Sequence, residues 1–223
     1  EVKITVVYTY DEDDYTPEFE QRGSTLYVKE EFRRSRYTRG YSEWTLEIPD
    51  GLSLDFKTGS GNIEIEGLTI EIQANSGSGN IEVMDISGDT KANTGSGNIE
   101  VDQVEGNVDA NTGSGSIRIR AINGDTDLNT GSGNIRGSQI EGAISMNTGS
   151  GNIEMLDAIL NGNSSLKTGS GNARIVLAAA LNNDVSISTG SGNATLDFNG
   201  QEIEGKFIMK AQDKDDIRAP FKF

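Results

Sequence analysis

Residues 94–101 read Thr94-Gly95-Ser96-Gly97-Asn98-Ile99-Glu100-Val101, and close variants of this octapeptide recur along most of the chain. The copies begin at Thr58, Ser76, Thr94, Thr112, Thr130, Thr148, Thr168 and Thr189. The first five intervals are 18 residues each, and the last two are 20 and 21. A fixed period of this size is typical of a solenoid, in which each repeat forms one coil and stacked coils share a core.

Each coil shows the same apolar pattern when its positions are numbered from 1 to 18 with the Thr at position 4. In the third coil the apolar positions 2, 9, 11 and 14 are Ala92, Ile99, Val101 and Val104, and the polar position 10 is Glu100. Alternation with a period of two predicts strands with one buried face. The sequence therefore predicts an all-β fold, a single-stranded parallel β-solenoid (β-helix) of about eight coils with about 18 residues each.

One inward position breaks the apolar pattern. Gly137 stands at position 11, where the other coils carry Ile, Val, Leu or Met. The fifth coil is therefore expected to lack a side chain in its core, and Gly137→Val is expected to fill that gap or to be neutral.

The repeat defines the expected organisation of one continuous domain. Residues 1–54 hold nine of the 14 aromatic residues and are predicted to form an irregular β cap of less regular coils. Residues 55–207 are the regular coils, and residues 208–223 are predicted to cap the other end, because open solenoid ends invite association. Right-handed winding is expected from the crossover preference of parallel strands. A left-handed triangular helix built from three hexads is the alternative.

Composition excludes several classes of function. The 223 residues include 35 acids, 19 bases, no Cys and no His, with a formal charge of -16. The chain therefore has no thiolate or imidazole for metal binding or catalysis. Its acidity argues against nucleic acid as a partner, and no stretch is apolar enough to span a membrane. No metal, no cofactor and no catalytic residue is expected.

The octapeptide at Thr94, the lead-in Trp44–Leu54 and the ending Asp216–Phe221 carry a family resemblance. They resemble bacterial adhesin-type domains of unknown function, relatives of the adhesin-head domains of Bacteroidetes. The resemblance covers about residues 44–223 and extends more weakly to the residues before them. It implies a parallel β-solenoid exported to the bacterial cell envelope, in the periplasm, attached to the outer membrane or at the cell surface. It supplies no catalytic motif and leaves the oligomeric state open.

The regular coils present columns of like residues, and most of these columns are expected to be structural. The hydroxyls at positions 4 and 6 share parity with the apolar position 2, so they are expected to face inward and hydrogen-bond along the stack. Asn at position 8 is expected to adopt the left-handed conformation or to form amide ladders, whereas the Asn column at position 3 faces outward. Glu64, Glu82 and Glu100 stack at position 10, where calcium binding or glycosidase chemistry is the alternative to a solvated face.

The strongest binding candidate is a segment that interleaves Arg with aromatic residues. Its members are Arg33, Arg34, Arg36, Tyr37, Arg39 and Tyr41. Such a segment stacks on sugars and pairs with phosphate or carboxylate groups, so a glycan or an envelope component is the expected partner. Two classes of function follow: a non-enzymatic envelope adhesin or scaffold, and a carbohydrate-binding or polysaccharide-cleaving protein.

Overall fold

The computed structural model describes residues 2–33 and 40–202, and the described residues contain no helix. They divide into two compact units, the first extending to Leu52 and the second beginning at Ser53. The boundary falls at the turn that follows Pro49, close to residue 54, where the aromatic-rich part of the sequence ends. Residues 208–223, predicted to cap the stack, lie outside the described residues.

The N-terminal unit is antiparallel. Strands β1 (Lys3–Tyr8) and β4 (Ser42–Glu47) form one two-stranded sheet, and β2 (Tyr15–Arg22) and β3 (Thr25–Phe32) form a hairpin. The hairpin turns at Gly23, whose φ of 62° suits a residue without a Cβ. The sequence predicted less regular coils for this segment, and the structure has antiparallel pairs instead. The strand β2, which carries Pro17 and four charged or amide side chains, was not predicted at all.

The second unit consists of coils that each contribute two strands, and its sixteen described strands form two parallel sheets. The odd sheet contains β5 (Ser53–Thr58), β7 (Glu71–Ser76), β9 (Thr90–Thr94), β11 (Val108–Thr112), β13 (Thr126–Thr130), β15 (Ile144–Ser150), β17 (Ser164–Ser170) and β19 (Val185–Ser191). The even sheet contains β6 (Ile63–Leu68), β8 (Ile81–Ser87), β10 (Ile99–Glu105), β12 (Ile117–Asn123), β14 (Ile135–Gly142), β16 (Ile153–Leu160), β18 (Ala173–Leu177) and β20 (Ala194–Asp197).

Neighbouring coils pair with an offset equal to the period of the sequence repeat. Ile99 pairs with Ile81 on one side and Ile117 on the other, and Asn111 lies between Asn93 and Asn129. Within the first six coils each residue therefore lies beside its equivalents 18 positions away, and the offset is 20 and then 21 in the last two coils. Every position of the coil becomes a column along the stack. The predicted all-β parallel solenoid of about eight coils is confirmed.

A single apolar core lies between the two sheets. The odd sheet contributes position 2, with Ala92 fully buried, and the even sheet contributes positions 9, 11 and 14, with Ile99, Val101 and Val104 at most 1% exposed. The parity predicted for these columns is confirmed. Each inner coil buries these side chains against the coils beside it, so its stability depends on those neighbours.

The glycines of the octapeptide are required because the turns stack closely. A Cβ added at Gly97 would lie 2.0 Å from the carbonyl oxygen of Gly79 in the preceding coil, and one at Gly95 would lie 2.3 Å from the oxygen of Gly77. Backbone atoms cannot move aside as a flexible side chain can. The Gly-Ser-Gly run is therefore a packing requirement of the stack.

The five strands β8, β10, β12, β14 and β16 of the even sheet each contain a bulge at position 13. Asp85, Gln103, Ala121, Gln139 and Asp157 occupy this column with φ between 52° and 56°. The pairing of β10 with β12 passes from Asp102 opposite Arg120 to Val104 opposite Ile122, which leaves position 13 unpaired. The extra residue changes the parity, so that position 14 points inward three residues after position 11.

The gap expected at Gly137 is filled by a neighbouring side chain. A Cβ at Gly137 would lie 2.2 Å from Cε of Met155 and 3.2 Å from Cε of Met146. Both methionines are buried, and Met155 stands beside Gly137 in the same column. The expectation that Gly137→Val fills empty space is wrong, because Met155 already extends into that space.

Candidate functional site

The Arg/Tyr segment is described only at its two ends. The backbone N–H of Arg33 donates to the carbonyl of Asp14 at 3.0 Å, and the N–H of Tyr41 donates to Oγ1 of Thr9 at 3.0 Å. Both side chains are exposed. Arg34, Arg36, Tyr37 and Arg39 lie outside the described residues. The structure therefore places the ends of the segment beside the loop that joins β1 to β2, and the predicted anion-binding role stays a prediction.

Aromatic residues near this segment pack on one another. The rings of Tyr8 and Tyr10 lie 4.6 Å and 5.0 Å from the ring of Tyr15, and Phe32 makes edge contacts with Tyr10 and Tyr15. Gly40 fits against the face of Tyr10, where a Cβ would lie 2.3 Å from the ring. Phe32, which directly precedes the Arg/Tyr segment, contacts these rings although it is 41% exposed, and Tyr41 of the segment is 56% exposed.

A carboxylate that no sequence pattern singled out joins the two sheets of the N-terminal unit. Oε1 of Glu30 accepts hydrogen bonds from the hydroxyl of Tyr15 and from Nε1 of Trp44, both at 3.0 Å, and from the hydroxyl of Ser42. Burial, and then the hydrogen bond to Glu30, raise the pKa of Tyr15 to about 12. The arrangement fixes the hairpin to β4 and gives Glu30 a structural role.

The hydroxyls of the octapeptide divide between the inside and the outside of the coil. Oγ1 of Thr94 donates to the carbonyl of Gly79 in the preceding coil at 2.8 Å and accepts from the N–H of Gly97 at 3.2 Å. The inward, coil-linking role predicted for position 4 is confirmed. The Ser at position 6, such as Ser96, is exposed, so its predicted inward orientation is wrong. Parity fails at Ser96 because β9 ends at Thr94 and the chain bends at the residues that follow.

The two Asn columns link the coils in different ways. At position 8 the side-chain oxygen of Asn98 accepts from the backbone N–H of Ser116 at 2.8 Å, and φ of this column is not positive. The expected left-handed conformation is therefore wrong. At position 3 the amide of Asn93 donates to Asn75, and the amide of Asn111 donates to Asn93, both at 3.1 Å. These hydrogen bonds link the half-buried amides of coils 2 to 4, whereas the amide of Asn129 donates to Asp127 within its own strand.

The charged column at position 10 is a solvated face in which acids and arginines pair. Arg118 lies 3.6 Å from Glu100, and Arg136 lies 3.9 Å from Glu154. The side chains are 42–60% exposed, and ion pairs with that exposure contribute little to stability. Across residues 2–33 and 40–202, no group of three or more acids is placed to hold a metal ion.

A groove of about 740 Å³ runs across the amino-terminal ends of the strands of the odd sheet. Its described lining includes Lys91 and six carboxylates, which are Asp55, Glu71, Asp89, Asp109, Asp125 and Asp127. Asp89 and Asp125 each accept a backbone N–H from the next coil at 2.8–2.9 Å, and Asp109 pairs with Lys91 at 2.6 Å. No aromatic residue is among the described lining, so the groove offers no stacking platform for a sugar ring.

The described residues contain no helix that could cross a membrane. Nothing among curated proteins or solved structures matches the chain. The model of one family does match: the family described as Toastrack, a domain of unknown function (DUF4097), over residues 1–219. The match includes the N-terminal unit, where the resemblance seen in the sequence was weaker. Because it extends over nearly the whole length, the chain belongs to the Toastrack family.

Proposed function

We propose that this chain is a non-enzymatic scaffold of the bacterial cell envelope, exported and acting as an adhesin or as a rigid spacer. The observation that carries the proposal is the use of polar side chains within the stack. The Thr column, both Asn columns and the acids at positions 10 and 17 hydrogen-bond or ion-pair with the next coil. Side chains used in this way rigidify the molecule and leave few free groups for chemistry.

The family resemblance to adhesin-head domains of Bacteroidetes supports export and an adhesive role. A parallel solenoid suits such a role because its length grows with coil number while every coil keeps the same cross-section. The eight strands of the odd sheet, at about 4.8 Å each, extend over roughly 34 Å.

Cell fractionation tests the location. The chain is expected with periplasmic, outer-membrane or surface material of the source bacterium. Recovery with the cytosol alone contradicts the proposal. Adhesion is tested with beads that carry the chain, which are expected to bind bacterial or host surfaces more strongly than beads carrying an unrelated acidic protein. Equal binding by both sets of beads removes adhesion and leaves the spacer role.

A panel of polysaccharides tests the non-enzymatic part of the proposal. The parent is expected to release no reducing ends, and Asp109→Asn and Asp127→Asn in the groove are expected to behave as the parent does. Release by the parent that either amide variant abolishes shows an enzyme and refutes the proposal. The triple variant Arg33→Ser, Arg34→Ser, Arg36→Ser tests the carbohydrate-binding alternative. That alternative is supported if the parent binds an anionic glycan and the triple variant does not.

A further inference from the structure

The outward face of the even sheet carries charge in blocks along the stack. Positions 10 and 12 point outward on this face. In coils 1 to 3 they hold only acids and one methionine, and the acids are Glu64, Glu66, Glu82, Glu100 and Asp102. In coils 4 and 5 they hold three arginines and a serine, and the arginines are Arg118, Arg120 and Arg136. One acidic block is therefore followed directly by one basic block.

Two ion pairs lie side by side where the blocks meet. Arg118 is 3.6 Å from Glu100, and Arg120 contacts Asp102. The two arginines are 55–60% exposed, so their guanidinium groups remain open to a further partner. Glu82 and Arg136 flank these pairs, and the three coil spacings between them amount to about 14 Å.

We propose that this face binds the same face of a second copy in antiparallel orientation, with the two-fold axis along the strands between coils 3 and 4. Such an axis keeps each column opposite itself and places coil 3 opposite coil 4 and coil 2 opposite coil 5. Glu100 then faces Arg118 of the second copy, Asp102 faces Arg120, and Glu82 faces Arg136. The inference stands on the charge pattern and does not depend on the envelope location.

The charges select this orientation and this register over others. Parallel copies would place each acidic coil opposite the same acidic coil and each arginine coil opposite the same arginine coil, which is repulsive. Moving the axis by half a coil spacing would place Glu100 opposite Glu100 or Arg118 opposite Arg118. In the proposed register one kind of unfavourable contact remains and occurs twice per dimer, because Glu64 in coil 1 of each copy faces Glu154 in coil 6 of the other.

Association would build on the ion pairs already present. The Glu100–Arg118 pair of one copy lies against the same pair of the other copy, with opposite charges adjacent, so four charges form one group. Such networks stabilise an association more than isolated exposed ion pairs do. Coils 1 to 6 extend over about 24 Å along the stack, and their strands are about 23 Å long, so the face has an area of roughly 550 Å² per copy. This area is below the roughly 800 Å² per partner of a standard interface. The association is therefore weak, and the net charge of -16 opposes it at low salt.

Sedimentation equilibrium of the 223-residue chain at about 0.15 M salt tests the proposal, since that salt screens charges beyond about 8 Å. The average mass is expected to rise towards that of a dimer between about 10 µM and about 1 mM. Glu82→Arg is expected to weaken the association at least tenfold, because it places a new arginine opposite Arg136 twice per dimer. Glu64→Arg is the matched control in the same column, and it is expected to strengthen the association, because it removes the contact with Glu154.

Mixing two variants separates the interface from effects within one chain. Glu82→Arg alone and Arg136→Glu alone are each expected to remain monomeric. Their equimolar mixture is expected to form heterodimers, because the new arginine of one variant then faces the new glutamate of the other and the second contact is unchanged. A monomeric parent at about 1 mM, equal effects of Glu82→Arg and Glu64→Arg, or no heterodimer in the mixture would each overturn the proposal.

Discussion

Replacing Gly137 tests the packing of the fifth coil most directly. Val at this position requires a Cβ that would lie 2.2 Å from Cε and 3.1 Å from Sδ of Met155. The thioether is flexible, but Met155 is fully buried, and Met146 lies at 3.2 Å on another side of the same space. A Cβ at position 137 would therefore force the methionine to shift within the core. Gly137→Val is expected to overpack the core.

The expected magnitudes come from opposing effects. Overpacking costs about 1–3 kcal/mol, and replacing Gly inside a strand returns about 0.5–1 kcal/mol. Gly137→Val should therefore destabilise the protein by about 1–2 kcal/mol. Met155→Val should cost about 1 kcal/mol because it leaves a small cavity. In the double variant the new side chain at 137 occupies that cavity, so its stability should lie within about 0.5 kcal/mol of the parent.

Urea denaturation of the four proteins measures this coupling, provided that the slope of unfolding free energy against denaturant is the same in each. A favourable coupling of about 2 kcal/mol is expected, within the range for residues in contact. Gly137→Val combined with Ile175→Val is the control. Ile175 belongs to the same column but lies two coils away, so these two changes should add to within about 0.5 kcal/mol.

Two results would refute the reasoning. One is a Gly137→Val variant as stable as the parent, which would mean that the space at 137 is empty. The other is a double variant as unstable as the sum of the single changes, because Met155 would then not be the side chain that fills it.

Four further predictions follow from the columns and from the N-terminal unit. Ile99→Ala, at a position 1% exposed between Ile81 and Ile117, should cost about 2–4 kcal/mol in thermal or urea unfolding; a parent-like melt contradicts the inward parity. Gly97→Ala should cost about 3 kcal/mol or more, because its Cβ would meet the Gly79 carbonyl, whereas Ser96→Ala at the neighbouring exposed site should change stability by at most about 0.5 kcal/mol. Ala121→Gly should stabilise by about 1 kcal/mol, because φ of 52° is strained for Ala, and an unchanged melting temperature contradicts that strain. Since the pKa of Tyr15 is raised to about 12 from 10.0, its stabilising effect is complete below pH 10 and is lost as the pH rises through 12; near-ultraviolet circular dichroism should follow that loss in the parent and not in Tyr15→Phe.

The sequence alone predicted the features that depend on the period. Equivalent residues 18 positions apart define the register, and the apolar positions 2, 9 and 11 define the inward faces of two strands per coil. Ile99 and Val101 could be assigned to the core because period-two alternation is a direct consequence of strand geometry. The inward Thr94 could be assigned by the same argument.

The bulge at position 13 could not be derived from alternation, but its signal was present. Position 14 is apolar three residues after position 11, as with Val101 and Val104, and this odd spacing is incompatible with an unbroken strand that buries both. A single inserted residue with positive φ restores the inward orientation. Residues such as Ala121 and Gln103 do not mark the site, because neither favours positive φ in the way that Gly or Asn does.

The N-terminal unit was poorly predicted because it has no repeat to average over. Its order depends on contacts between distant residues, such as the carboxylate of Glu30 with Tyr15, Ser42 and Trp44. A Glu in a strand of alternating polarity looks like any solvated residue. Only the pairing of β2 with β3 and the position of β4 bring three donors to one oxygen.

The most regular part of this sequence is the least informative about its function. The octapeptide looks like a binding motif because it recurs with little change, yet its Thr, Gly and Asn are held by the geometry of stacking. Thr94 bonds to the preceding turn, Gly97 has no room for a Cβ, and Asn98 accepts a backbone N–H from the next coil. Stacking imposes no such demand on the outward positions 10 and 12. There the coils differ from one another, from Glu82 to Arg136, in a pattern that the fold does not require. Recognition by this family of solenoids is therefore best sought where the repeat varies, and charge reversals at those positions should alter association while leaving the stability of the coils almost unchanged.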